Sequence, residues 1–456
     1  MKTLRVVSAF ILAAAVAAAP AGALFAQENG PVVTLEQARK LALQFNPSIQ
    51  NVGERIYQSE MLIYKAWAML LPSFSADGSV TLNDKKVAIE FPDLTNVDPA
   101  DLLAGGDLPL SESVIQERWG QNVGFTANMA IFNARSIPLL KNAYDNEDFA
   151  RASGRHQKSD LLFAVASAYY QINSAKEMVK AAEQNLENAR EFLRLSRARL
   201  DVGQATKIDL LRAELDVKEQ EKQLKNAQDA HALAKTALSY LIGVKEPYET
   251  AVPEPVAAVQ DGRNALIEKA LTDRLDLRAA HLAEEMTQRE KIDTWVKWVP
   301  TFDVTYNWMW DSAAGFSGEH DSWRLIFGAK WDLLDGGLRI AELYERDSKI
   351  REAANNSRQL DLNIRQEVDT NLRELAKSRR NVEMAGEQAR LAEETHHLVT
   401  RQYEIGLATS LDVLAARTQL GNARVGLIME KLQHDLNALT LNKAVGEYDP
   451  LLKESP

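Results

Sequence analysis

Two nine-residue stretches carry glycine, threonine and aspartate at one spacing: Asp201-Val-Gly-Gln-Ala-Thr-Lys-Ile-Asp209 and Glu404-Ile-Gly-Leu-Ala-Thr-Ser-Leu-Asp412. This is the chemistry of one helix ending and the next beginning. Gly203 and Gly406 suit the left-handed residue that closes a helix. Thr206 and Thr409 suit N-caps, and Asp209 and Asp412, three residues on, complete a capping box with Asp in place of Glu. A local capping role leaves room for a second role of both carboxylates. Other reactive patterns are missing. His396 and His397 are adjacent, so on a helix their side chains diverge by about 100° and cannot chelate one metal well. There is no His-Glu-x-x-His, no phosphate-binding glycine loop and no Gly-x-Ser-x-Gly. The absence of cysteine removes disulfides, Cys-ligated zinc, Cys nucleophiles and a lipid-bearing N-terminal Cys. No carboxylates stand out as an acid/base pair. The sequence points to no enzyme, no cofactor and no resident metal.

The two turns belong to two copies of one longer unit. A shift of 203 positions lays residues 200–243 on 403–446: Gly203 meets Gly406, Ala205 meets Ala408, Thr206 meets Thr409 and Asp209 meets Asp412. Leu211, Ala213, Leu238 and Gly243 meet Leu414, Ala416, Leu441 and Gly446. Upstream, a shift of 228 lays Ala42-Leu43 on Ala270-Leu271, Trp67 on Trp295, and Pro72 and Phe74 on Pro300 and Phe302. The first copy is longer because of residues near 84–119, rich in Asp, Pro, Gly and Leu, which read as a long loop. The repeats are expected at 27–243 and 265–446. A linker over 244–264 carries Pro247, Pro253 and Pro255, and a tail covers 447–456.

Each repeat reads as helix, two strands, very long helix, return helix. Residues 35–70 are helical in pattern with a break at Asn46-Pro47, and 264–298 is the partner. After Pro72 and Pro300 the apolar period changes to two. Strands follow near 72–83, 120–132, 301–311 and 322–332. Trp308 in the third and Leu325, Phe327 and Trp331 in the fourth fall on apolar faces, opposite Thr305, Asn307, Arg324 and Lys330. Ten-residue strands with one apolar and one polar face suit a transmembrane β-barrel, with the apolar residues toward lipid. Six of the eight tryptophans, at 295, 298, 308, 310, 323 and 331, suit its interfacial girdle. Soluble hairpins packed on one face are the other reading. Four strands cannot close a barrel, and lipid tolerates no open edge, so several chains would have to contribute. The helices over 137–201 and 338–404 would each reach about 100 Å. That length suits a coiled coil, hollow or solid, and no compact core.

The remaining composition sets the compartment. Lys2 and Arg5, an apolar run over Val6–Ala19 and small residues before Gln27 read as a signal peptide over 1–26, with an uncleaved anchor as the other reading. No later stretch is apolar enough to span a bilayer as a helix. The chain has 456 residues, 26% charged, with a net charge of −11. Loss of Lys2 and Arg5 would leave about −13, which argues against a nucleic-acid partner.

The duplicated strand pair, the long helices and both Gly-x-Ala-Thr-x-x-Asp-x-Leu-x-Ala turns resemble the TolC-type outer membrane factor family over nearly the whole mature chain. The resemblance implies a homotrimer with a 12-stranded β-barrel in the lipid of a Gram-negative outer membrane. Below it would hang an α-helical barrel reaching through the periplasm, with an equatorial domain at its girth. It implies a passive exit duct for a tripartite efflux or type I secretion system, joined by a periplasmic adaptor to an inner-membrane transporter. The turns would be periplasmic tips, with Gly203, Ala205, Thr206, Gly406, Ala408 and Thr409 meeting the adaptor. Asp412 would form an acidic ring, and Tyr403 would stand opposite Asp209 in the gate. Two positions depart from the family: Ala415 replaces a second acidic position, and Ala408 replaces a tip arginine. The competing function is a periplasmic coiled-coil structural protein with soluble hairpins.

Overall fold

The computed structural model describes residues 32–92, 110–313 and 319–447. The signal sequence over 1–26 and nearly all of the 447–456 tail lie outside them. After a two-residue strand, β1 (Val32–Val33), Thr34 caps α1 (Leu35–Phe45) in a capping box with Gln37. Asn46 ends that helix in extended backbone, and its side chain accepts from the Ser48 N–H to start α2 (Pro47–Ala68). Proline at the first position of α2 loses no bond, because that N–H has no partner inside a helix. The chain then enters β2 (Ser73–Leu82), β3 (Val87–Pro92), β4 (Leu110–Gln116) and β5 (Trp119–Phe132). Helix α3 (Ser136–Asp201) follows and returns as α4 (Lys207–Ile242).

The second repeat begins after β6 (Glu249–Thr250), which lies inside the proline-rich linker and pairs in parallel with β1. Helices α5 (Arg263–Asp273) and α6 (Leu275–Val296) lead into β7 (Thr301–Asp311) and β8 (Asp321–Lys330). Helices α7 (Leu338–Glu404) and α8 (Ser410–Ala444) complete it. The sequence marks no break in 264–298, yet one occurs at Arg274, the position that matches Asn46 under the repeat. No proline forces it. Arg274 takes extended backbone while its guanidinium reaches Asp276, Glu367 on α7 and the Ala444 carbonyl on α8.

The expected long loop near 84–119 is corrected in part. Its described flanks form an antiparallel hairpin, β3 with β4, registered from Val87 opposite Gln116 to Pro92 opposite Leu110. Val87, Ile89 and Phe91 alternate with Ala88 and Glu90, a short strand pattern that the Asp/Pro/Gly-rich centre obscured.

Large apolar residues gather at the middle of the molecule. Ala38, Ala42, Val165, Tyr169, Ile172, Leu238 and Ile242 form one buried cluster. Leu266, Ile267, Ala270, Ile364, Val368 and Leu441 form its counterpart in the second repeat. Tyr169 and Tyr170 donate to the carbonyls of Val33, Ala251 and Glu254, tying β1 and the linker to α3. Away from this girth the long helices meet their return helices along narrow stripes of alanine, serine and single large side chains, such as Ala181, Leu186, Ala189 and Val217.

Candidate functional site

The four long strands form one antiparallel sheet in the order β2-β5-β7-β8. Its register decides what each face can do. Phe125 lies opposite Trp308, Ala127 opposite Tyr306 and Met129 opposite Val304. Tyr306 lies opposite Leu325, Trp308 opposite Trp323 and Val304 opposite Phe327. Opposite residues in a sheet share a face. The apolar positions therefore form one continuous surface that includes Trp308, Leu325 and Phe327. Phe125 and Trp308 touch at 5.5 Å between ring centroids, and Tyr306 stacks on Trp323 at 6.3 Å. Phe327 is 74% exposed and Leu325 49% exposed, with nothing among the described residues to cover them. Trp331, just past β8, is 60% exposed, and its indole N–H donates to the Trp298 carbonyl at 2.9 Å. Trp331 is thus hydrogen-bonded to the turn that follows α6.

The other face is polar. Thr126 donates to the Asn307 side chain at 2.9 Å, and Ser75, Asn128, Thr305 and Arg324 fall on the same side. Two aspartates lie flat across glycines of the neighbouring strand. A Cβ on Gly124 would sit 2.8 Å from the Asp77 carboxylate, and one on Gly328 would sit 2.7 Å from that of Asp303. The polar wall is kept smooth by leaving those two positions without side chains. Sequence patterning placed the faces but missed these cross-strand pairs, because pairing between distant strands is not written in alternation.

At the far ends of the long helices the two turns have the geometry their spacing predicts. Gly203 has φ +73° and Gly406 φ +85°, where a Cβ is strained. Thr206 accepts from the Asp209 N–H, while Asp209 Oδ2 accepts from the Thr206 N–H at 3.0 Å and hydroxyl at 2.7 Å. Thr409 and Asp412 repeat this at 2.8 and 2.6 Å. Both carboxyls are held below the ordinary carboxylate range: Asp209 by Ser410 and then Thr206, Asp412 by Thr409. Ala205 and Ala408 are half-buried beside their turns, and Ala415 is exposed.

One pairing differs from the resemblance. Among the described residues Asp209 is hydrogen-bonded by Thr206 and by Ser410, and Tyr403 is not among its partners. Tyr403 is buried at 4% exposure. It packs on Phe192 with centroids 5.6 Å apart and lies under the Arg199 guanidinium at 4.5 Å. Phe192, Ala213, Tyr403 and Val413 form a small core that joins the two hairpins near their turns. Phe192, Arg199 and Ser410 escaped the sequence reading. The available signal was a break in the repeat: Ser410 stands where the first copy has Lys207.

Known proteins place this architecture. The outer membrane efflux protein family matches residues 38–244 and 266–447, which takes in both repeats. TtgC of Pseudomonas putida, a probable efflux pump outer membrane protein, is 23% identical over 341 residues, 74% of this chain and 70% of TtgC. The outer membrane efflux protein BepC of Brucella suis is 22% identical over 383 residues, 82% of this chain and 81% of BepC. The solved structure of CusC has a TM-score of 0.75 at 16% identity and covers 93% of this chain and 95% of its own. With both helix–strand–helix repeats inside the matched segments, the chain belongs to the outer membrane efflux protein family.

Proposed function

We propose that three copies of this chain close their sheets edge to edge into a 12-stranded barrel, and that the assembly is the passive exit duct of an efflux system. The chain is an outer-membrane efflux protein and not an enzyme, with its helices reaching into the periplasm. The observation that carries the trimer is the sheet itself. It has two faces of opposite polarity and two open edges, β2 and β8. In hydrocarbon each unpaired backbone group costs several kcal/mol, so the edges must meet edges of other copies. Soluble hairpins, the competing reading, would leave the Phe125–Trp308–Leu325–Phe327 surface in water.

The finer reading concerns the turns. Gly203, Ala205, Thr206, Gly406, Ala408 and Thr409 present compact, left-handed corners at the periplasmic end, suited to the close approach of a helical adaptor. That adaptor links the duct to an inner-membrane transporter, which supplies the energy and selects the cargo. Asp209, Tyr403 and Asp412 form the gate region, with three Asp412 carboxylates around the axis. The test is expression in cells lacking their own efflux duct. Outer-membrane fractions should contain a trimer that boiling dissociates, and dye accumulation should fall when a matching adaptor and transporter are supplied. A soluble periplasmic monomer would overturn the reading.

A further inference from the structure

One chain already contains a seam between two repeats, made by β5 with β7 and by α3 with α6. Its geometry carries over to the open edges, because the repeats match residue for residue there. Ser73 and Thr301, 228 apart, each open a strand after a proline, and their partners Asn128 and Lys330 are 202 apart. Asn133 and Asp335, also 202 apart, each accept from the N–H two residues on. Inside the chain Asn128 faces Thr305. The matching residues at the two edges are Lys330 of β8 and Asp77 of β2. A seam staggered by two residues fewer leaves them diagonal neighbours, within reach of a lysine. Both belong to the polar face. Asp77 has no cation beside it among the described residues, and Lys330 has an exposed contact of 3.5 Å with Asp332.

The helices lead to the same edges. Asn142 on α3 donates to the Met286 carbonyl at 3.4 Å and accepts from Arg289 at 3.3 Å, both on α6. The same two shifts turn Asn142 into Tyr344 on α7, and Met286 and Arg289 into Gln58 and Met61 on α2. Tyr344 is 73% exposed. Gln58 and Met61, with Leu62 and Phe149, line a groove of about 700 Å³ between α2 and α3. A knob stands at the β8 edge of the chain and a hole at the β2 edge.

We propose that the seam between neighbouring copies repeats the seam inside one chain: Lys330 pairs with Asp77 of the next copy on the polar wall, and Tyr344 seats in the next copy's groove between α2 and α3. The inference rests on the trimer reading above and adds to it the residues that join the copies. An ion pair open to water adds little stability. Its effect is on which edges meet. Joining like edges would set Asp77 beside Asp77, or Lys330 beside Lys330, at one depth, and like charges there are unfavourable. Joining β8 to β2 pairs opposite charges and fills the groove. A contact between two different edges passes from copy to copy until the ring closes.

The chain has no cysteine, so pairs can be introduced cleanly. Lys330→Cys with Asp77→Cys, treated with a short bismaleimide in outer-membrane fractions, should give covalent dimers and trimers on denaturing gels, and either cysteine alone should not. Tyr344→Cys with Met61→Cys should do the same in the helical part. Asn128→Cys with Thr305→Cys, the matching pair inside one chain, should link no chains. Separately, Lys330→Glu should lower the temperature at which the trimer dissociates in detergent, and adding Asp77→Lys should restore it. If trimers form but neither cysteine pair links chains, the seam is refuted and the duct stands. No loss from Lys330→Glu, or no recovery on adding Asp77→Lys, refutes the ion pair. If the unchanged protein forms no trimers, the duct reading fails and the seam with it.

Discussion

Leu325 and Thr305 offer the sharpest test of which face of the sheet meets lipid. Leu325 is the fifth of ten residues in β8, so it lies near the middle of the strand. It faces Tyr306, and Thr305 is the neighbour of Tyr306 on the opposite face, at the same depth. Leu325 is half-exposed in the isolated chain, so replacing it disturbs little internal packing. An arginine on the lipid face at mid-bilayer costs about 2–4 kcal/mol. Three chains would lose about 6–12 kcal/mol per trimer on that scale, comparable to the whole stability of an ordinary domain. Leu325→Arg should therefore abolish the boiling-sensitive trimer in outer-membrane fractions, while Thr305→Arg, whose charge points into water, should leave it. The cost should fall away from the midplane, so Phe327→Arg should be milder than Leu325→Arg. Trp331→Arg, past the end of the strand, should cost about 1 kcal/mol or less from lipid contact. Trp308→Arg, which pairs with Trp323 two residues from Leu325, should likewise be milder than Leu325→Arg. Equal loss of trimer from Leu325→Arg and Thr305→Arg would refute the assignment of the faces.

Three further outcomes follow from the geometry. Gly328→Ala or Gly124→Ala should lower trimer stability by about 1–3 kcal/mol per chain, because the new methyl meets a carboxylate. Adding Asp303→Ser or Asp77→Ser should restore the melting temperature. Gly203→Leu or Gly406→Leu should end export while trimers persist, at a backbone cost of about 1–2 kcal/mol; loss of the trimer would assign these glycines to folding alone. The channel should be cation-selective, with weak trivalent-cation block from the periplasmic side that Asp412→Ala relieves. Its carboxyl is held below the ordinary range by Thr409, so block should be unchanged between about pH 8 and 5 and be lost only in stronger acid. Block that survives Asp412→Ala would leave the aspartate a cap and nothing more.

Much of the architecture is legible because it is local and repeated. The limits of α3 and α7 follow from proline, glycine and an unbroken run of helix formers, and the strands follow from a change of period after Pro72 and Pro300. The turns follow from Gly, Thr and Asp at fixed steps. What escapes is what depends on distant partners. The break at Arg274 comes with guanidinium contacts to Glu367 and the Ala444 carbonyl, which the local sequence does not show. Asp77 and Asp303 lie flat only because strands 47 and 25 residues further on supply glycines. Ser410 looks like an ordinary helix-start residue until Asp209 is brought beside it.

The distribution of large side chains also decides where the molecule is rigid. At the girth, two matched clusters bury tyrosine, isoleucine, leucine and valine, and tyrosine hydroxyls fasten the linker across them. Near the turns a single cluster of four buried residues, Phe192, Ala213, Tyr403 and Val413, joins the hairpins. Opening costs least where few apolar contacts must be broken. The hairpins should therefore swing from the girth as stiff rods, and their resting position should be set at the tips by polar contacts. A hydrophobic seal there would be strong but slow to specify. Hydrogen bonds such as that of Ser410 to Asp209 have fixed partners and can part without exposing apolar surface. That division, apolar at the girth and polar at the tips, is what a duct needs if it is to stay assembled while it opens.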